Sequence, residues 1–285
     1  MEMRAGPARG QGVQPAVLAA ISAIHERYFD PITLADLAAE VYVSPFHFSR
    51  IFAKATGVTP GRFLTAVRLF EAKRLLLTTS LTVADIVCSV GYSSVGTFTS
   101  RFTRAVGMTP TQYRDPGVND LLVALAPHLR RMPPLDLLRE AGRNCASIRV
   151  GTGTITARFT SPAGAAPAQV LVGVFADAVP QSGPVAFGGI AGVRAGEITI
   201  HGVPDGRWTV MAIAEHAAGT PDSAFSVATL PAPVRVAPHG RAFVSLGLRS
   251  LQPIDAPIAV TLAGEPAPHT ARRSTGSRDY LRAVA

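Results

Sequence analysis

SPFHFSRIFAKATGVTPGRF at residues 44–63 and SVGTFTSRFTRAVGMTPTQY at residues 94–113 are two copies of one segment. Laid over each other without gaps, they pair Phe48 with Phe98, Phe52 with Phe102, Gly57 with Gly107 and Thr59-Pro60 with Thr109-Pro110. Upstream the match continues one residue out of step, with Thr33, Asp36 and Leu37 against Thr82, Asp85 and Ile86. In each copy a threonine placed to cap a short helix is followed by a turn, then by a serine placed to cap a second helix. Pro45 falls at a first-turn position, where its missing N–H costs little, and Gly57 and Gly107 stand where a helix ends in a left-handed residue. This is the pattern of a helix-turn-helix, present twice. Two such units suit a ligand that repeats along an axis, and DNA is one.

Around the copies, Val17, Leu18, Ile21 and Ile24 recur at helical spacing from Pro15 until Asp30-Pro31 ends the helix. Thr59-Pro60 opens a longer helix to about Thr78, with an apolar stripe of Leu64, Val67, Leu69, Ala72, Leu75 and Leu76. At about 1.5 Å per residue this helix is roughly 28 Å long. Such a rod separates the two second helices by close to one turn of B-DNA, about 34 Å, so that one chain could enter two successive major grooves. Within it Arg68 is expected to pair internally with Asp36 or Asp85, and Lys73-Arg74 to form an exposed face. Phe48, Phe52, Phe98 and Phe102, spaced at four, are expected in the core.

Residues 116–146 read as a linker with short helices, broken at Pro127 and Pro133-Pro134. From Ser147 the composition turns to alternating Val, Ile, Thr, Gly and Ala, as in GEITIHGV (196–203) and RWTVMAIAEH (207–216). Short strands between Gly/Pro turns, Pro204-Asp205-Gly206 among them, indicate an all-β sandwich of seven or eight strands over residues 147–265. Residues 1–14 are expected to be a disordered arm and 266–285 a basic tail. The fold class is therefore multi-domain α plus β, with an all-α double helix-turn-helix over residues 15–115 ahead of the sandwich.

Charge follows the same division. Of the 285 residues, 47% are apolar and 16% charged, which excludes a disordered chain. The net charge of +8 is made up of +4 over residues 1–116, +2 over 117–149, −1 over 150–265 and +3 beyond. Positive charge on the front half is what phosphates require. Two cysteines, Cys88 in a helix pattern where a small core residue is wanted and Cys145, point to thiols in a reducing compartment. With no run near twenty apolar residues and no apolar signal core at the start, a cytoplasmic protein that does not enter a membrane is expected. His201, Asp205, Glu215, His216 and His239 form no metal-binding or catalytic spacing, and no P-loop, dinucleotide fingerprint or G-x-S-x-G is present. No cofactor or metal is expected. Trp208, the single tryptophan, is expected in the core.

The helix caps, glycines and Thr-Pro pairs, together with RLFEAKRLLL at 68–77, resemble the DNA-binding domain of the AraC/XylS family of bacterial transcription activators over residues 15–115. The resemblance implies that Phe46, Ser49 and Arg50 of the first recognition helix lie at base edges, with His47 alongside. It implies the same face for Val95, Gly96, Thr97, Thr99 and Ser100 of the second. Arg50 carries the strongest chemistry, since a guanidinium can bridge O6 and N7 of guanine, worth roughly 1–3 kcal/mol of discrimination. Where the family places arginine this chain has Ser100, and Arg101 follows one position later, about 100° around the helix. Arg101 is thus expected at phosphate, as are Lys54 and Arg104 at equivalent places. The stretch GVPDGRWTVMAIA (202–214) is similar to transthyretin-like sandwiches beside carboxypeptidases. The expected function is a sequence-specific transcription regulator whose partners are double-stranded DNA, RNA polymerase and a small-molecule effector, acting as monomer or homodimer. The alternative is an enzyme or scaffold built on the β part, with the helices auxiliary.

Overall fold

The computed structural model describes residues 15–145, 151–162, 166–217 and 224–262, and the backbone of residues 3 and 4. Residues 3–4, within the stretch expected to be a disordered arm, form a two-residue strand, β1 (Met3–Arg4). The rest of that arm and the basic tail lie outside the described residues. Six helices follow: α1 (Pro15–Arg27), α2 (Leu34–Glu40), α3 (Pro45–Thr56), α4 (Pro60–Thr78), α5 (Val83–Ser89) and α6 (Val95–Val106), with a 3-10 turn at Gln112–Arg114.

Local chemistry sets their ends. Thr33 and Thr82 cap α2 and α5 in capping boxes, each hydroxyl accepting from the N–H of the aspartate three residues on. Asp36 and Asp85 accept the cap N–H in return, at 2.8 and 3.2 Å. The hydrogen bonds from Thr33 hold the Asp36 carboxyl below its ordinary pKa. Ser44 and Ser94 cap α3 and α6, and Gly57 and Gly107 close them at φ 82° and 90°, where only glycine is unstrained.

Phe48, Phe52, Phe98 and Phe102 are all fully buried. Phe48 and Phe52 join α1, α2 and the start of α4 in one core, while Phe98 and Phe102 join α5, Tyr113 and the end of α4 in another. Helix α4 thus runs through both units. Arg68 at its middle does not pair with an aspartate, because Asp36 and Asp85 are engaged as caps. It donates instead to the carbonyls of Tyr28 and Asp30, both at 2.7 Å, in the turn that follows α1. Its guanidinium also lies 5.6 Å from the centroid of the Tyr92 ring. Gly91, with φ 77°, abuts the same carbonyl region: a Cβ there would stand 2.8 Å from Tyr28 O and Phe29 O. The turn that follows α1 is therefore locked to the turn of the second unit.

Beyond α7 (Pro116–Asp120) the expected helical linker is a β-hairpin, β2 (Leu122–Ala126) and β3 (Leu129–Arg131), followed by α8 (Leu135–Asn144). The remaining strands are β4 (Gly153–Thr160), β5 (Gln169–Phe175), β6 (Ala186–Ala191), β7 (Ala195–Val203), β8 (Gly206–Glu215), β9 (Phe225–Thr229), β10 (Val234–Val236), β11 (Arg241–Gly247), β12 (Arg249–Ser250) and β13 (Ile258–Thr261). They build a four-stranded sheet β1-β11-β4-β7, a six-stranded sheet β12-β9-β8-β5-β6 with β10 on β8, and a three-stranded sheet β13-β2-β3. The Pro204-Asp205 turn carries the chain from the first sheet to the second.

Alternation along the strands shows the layering. Val170, Val172 and Val174 of β5 share a core with Ile155, Phe159 and Val244 of the four-stranded sheet, and Trp208 is buried there. The opposite residues, Leu171, Met211 and Ile213, meet α8 and the Val123, Leu125, Ile258 and Val260 side of the three-stranded sheet. The other side of that sheet, Leu122, Ala124, Ala126 and Ala259, receives Phe70 of α4. The segment read as a linker is therefore the layer joining the helices to the β region.

This arrangement overturns the expected exposed face of α4. Lys73 is 1% exposed, and its ammonium donates to Ala259 O at 2.7 Å, Gln181 O at 2.8 Å and Gln181 Oε1 at 3.1 Å. Glu71, also buried, accepts from Arg74 at 2.8 Å and stands 3.0 Å from His128 Nε2. Ile254, from the loop before β13, inserts into the core of the first unit. Cys88 is exposed rather than in the core, because the buried positions of α5 are Ile86 and Val87.

Candidate nucleic-acid interface

At about 100° per residue, Phe46, His47, Arg50 and Lys54 fall within one quadrant or so of α3, and Phe48 and Phe52 on the reverse. The observed burial matches that geometry. Phe46 is 78% exposed, His47, Arg50 and Lys54 are exposed, and Ser49 is half-buried at the margin. On α6, Val95, Gly96, Thr97, Ser100, Arg101 and Arg104 are exposed and Thr99 is half-buried. All twelve residues singled out in the sequence are thus at least partly accessible with the β region in place, ten of them exposed and Ser49 and Thr99 half-buried.

The two helices differ in what they offer. Helix α3 presents an aromatic ring, an imidazole, a guanidinium and an ammonium; the front of α6 is small and uncharged until Arg101 and Arg104. Arg101 is exposed, yet it sits near enough to Tyr92 to act on its hydroxyl. Burial raises the Tyr92 hydroxyl pKa, with Arg68 and Arg101 acting in the opposite sense. Gly96 has open space about its Cα, the nearest atom to an added Cβ being Ser94 Oγ at 4.0 Å, so nothing in the fold requires glycine there. Cations outnumber anions on this surface, and both capping aspartates are turned into their own helix ends. The Arg68 lock was missed in the sequence because its acceptors are main-chain carbonyls, which no residue type announces.

No group of three or more His, Cys, Asp or Glu side chains among the described residues could hold a metal ion. His216 Nε2 lies 2.8 Å from Ser226 Oγ, and Glu215 accepts from Gln169 Nε2 at 2.6 Å, so the polar groups at and just past the end of β8 serve the sheet. No helix among the described residues is long and apolar enough to cross a membrane.

Two helix-turn-helix units on one shared helix define a class of helical DNA-binding domain, and comparison with known proteins agrees. The family described as a helix-turn-helix domain matches residues 37–116. The HTH-type transcriptional activator AarP of Providencia stuartii is 35% identical over 94 residues, covering 32% of this chain and 70% of that protein. The HTH-type transcriptional regulator YobQ of Bacillus subtilis (strain 168) is 34% identical over 97 residues, 34% of this chain and 40% of the relative. Among solved structures, the C-terminal domain of the two-component response regulator yesN from Fusobacterium nucleatum is 33% identical and covered in full by 36% of this chain, with a TM-score of 0.35. The chain belongs to the AraC/XylS family of helix-turn-helix proteins. Its match spans less than half the length of most curated relatives, as in YobQ.

Proposed function

We propose that the protein is a sequence-specific, DNA-binding regulator of transcription, with α3 and α6 seated in adjacent major grooves of one duplex. The carrying observation is that the two helices are built alike, each with phenylalanines inward and an accessible polar face outward, and are joined through α4 and the Arg68 lock. Arg50 is assigned to base reading, with Phe46, His47 and Ser49 beside it. Val95, Gly96, Thr97, Thr99 and Ser100 form the shallower second reading face, and Lys54, Arg101 and Arg104 meet phosphate. The names of curated relatives, regulators and activators, support a regulatory rather than enzymatic role. RNA polymerase as a partner, action in the cytoplasm and binding as monomer or homodimer belong to the same reading.

The rear part is read as a β-sandwich, residues 147–265, that senses an effector or meets another protein. In support, a cleft of about 390 Å³ separates it from the first unit, lined by Thr56, Gly57 and Val58 at the end of α3 and by Met211, Leu230 and Arg249 opposite.

Selection of bound sequences from a random duplex pool tests the proposal. The expected result is a site spanning two half-sites about 10 base pairs apart, bound with a steep dependence on salt. A selected site covering one half-site only would remove α6 from the reading, and no enrichment at all would overturn it.

A further inference from the structure

The two copies disagree at one backbone position. In the turn before its recognition helix the second unit has Gly91, at φ 77°, and the first has Tyr42, at φ 56°. Positive φ is unfavourable for a bulky L-residue and free for glycine. Gly91 is obligatory because an added Cβ would strike Tyr28 O and Phe29 O. At the equivalent point of the first unit a large side chain is held in the strained conformation without that obstacle.

Tyr42 gives the fold little in return. Its N–H bonds Ala39 O at 3.1 Å, a turn contact any residue provides. Its side chain is 96% exposed, and among the described residues none hydrogen-bonds the hydroxyl or stacks on the ring. The neighbouring residues carry the packing instead: Val43, just before the Ser44 cap, and Phe48 in the first full turn of α3 share the unit's core, as in a hydrophobic staple. Tyr42 and Phe46, 96% and 78% exposed, flank that cap in the chain, at the N-terminal end of α3, the end that a recognition helix turns to base edges. Nearby Glu40 is paired with Arg27, so the edge is not acidic.

We propose that Tyr42 is a further DNA contact, its hydroxyl donating to a phosphate that flanks the groove entered by α3 and fixing the seating of that helix. The inference rests on the DNA-binding reading above. A tyrosine hydroxyl is a recognised donor to phosphate oxygens, and strain retained in an exposed side chain points to a role outside the fold. Only the first unit has this anchor.

The test uses the full chain and its Tyr42→Phe and Tyr42→Gly variants, titrated against the selected duplex and an unrelated duplex of equal length at several salt concentrations, with thermal unfolding of each free protein. Tyr42→Phe should weaken binding to both duplexes alike, by roughly 3- to 10-fold, and leave the salt slope unchanged because no charge is removed. Tyr42→Gly should weaken binding as much or more while unfolding at no lower a temperature, since glycine relieves the positive φ. Wild-type affinity in both variants would overturn the assignment. So would a loss confined to the selected duplex, which would make Tyr42 a base reader, or a lower unfolding temperature for Tyr42→Gly, which would make it a structural residue. Failure of the wild-type chain to bind any duplex would instead overturn the DNA-binding reading itself.

Discussion

Replacing Lys73 with methionine should remove a pH dependence of stability that the wild-type chain carries. Burial pulls the Lys73 ammonium from its ordinary 10.5 down to about 7, with the side chain enclosed between α4, Gln181 and β13. Unfolded, the lysine binds its proton up to about pH 10.5; folded, only up to about pH 7. Between those values unfolding takes up one proton, so stability rises with pH by about 1.4 kcal/mol per unit, or roughly 4 kcal/mol from pH 7 to pH 10. Below pH 7 both states are protonated and the destabilisation is constant. The variant's net stability at one pH is less diagnostic. Losing the charge removes a desolvation cost but leaves Ala259 O and Gln181 O without a donor, about 1–3 kcal/mol each. The slope is free of that ambiguity, because subtracting the variant's curve removes what the two proteins have in common. Urea unfolding by far-UV circular dichroism from pH 6 to pH 10, for wild type and Lys73→Met, measures it. Parallel curves would refute the reasoning, because they would mean that Lys73 keeps its proton on folding. Fluorescence of Trp208, buried in the β core, should follow the same transition if α4 couples the two halves.

Three further outcomes are expected. Arg50→Ala should lose about 1–3 kcal/mol of discrimination at one base position in a competition binding assay, whereas Ser100→Ala should lose less than Arg50→Ala. Ile254→Ala should lower the urea midpoint by an amount equivalent to about 2–5 kcal/mol, although residue 254 lies far along the chain from the first unit whose core it enters. Thr33→Ala and Thr82→Ala should each cost about 1 kcal/mol in the same assay, equally in the two units, because the two capping boxes are built alike.

The helices were legible in the sequence because their limits are written in local chemistry. Thr33, Ser44, Thr59, Thr82 and Ser94 cap the elements they were expected to cap, and α4 ends at Thr78 as its pattern indicated. Residues 122–126, LVALA, form a strand where helix was expected, for a physical reason. Strand β2 is buried on both faces, Val123 and Leu125 against the six-stranded sheet and Leu122, Ala124 and Ala126 against α4. A strand covered on both sides shows an unbroken apolar run, which periodicity cannot tell from a helix. The same blindness hid Lys73, since a lysine whose partners are carbonyls from residues 181 and 259 has no local signature. The interface residues followed from the family resemblance, and Tyr42 escaped because its distinction is a backbone angle.

The position of the β region bears directly on whether the chain can meet a duplex. Helix α4 is covered on two sides: the unit cores take Phe63, Val67, Leu69 and Leu76, and the three-stranded sheet takes Phe70. Contacts from the β region reach the helices through α4 and through Ile254, with Arg62 and Asp177 adding an exposed ion pair at 3.0 Å that contributes little by itself. None of these contacts covers the outer faces of α3 and α6, whose candidate residues remain accessible. A rear domain attached to the rod rather than to the reading helices can alter the spacing of the two units without blocking either. Under the proposed function, an effector or partner acting through this region should therefore change the fit to paired half-sites more than the affinity for one. Titration of the full chain against duplexes with one and with two half-sites, before and after Ile254→Ala, measures that difference. Equal losses on both duplexes would mean that the β region supports the first unit alone and does not set the spacing.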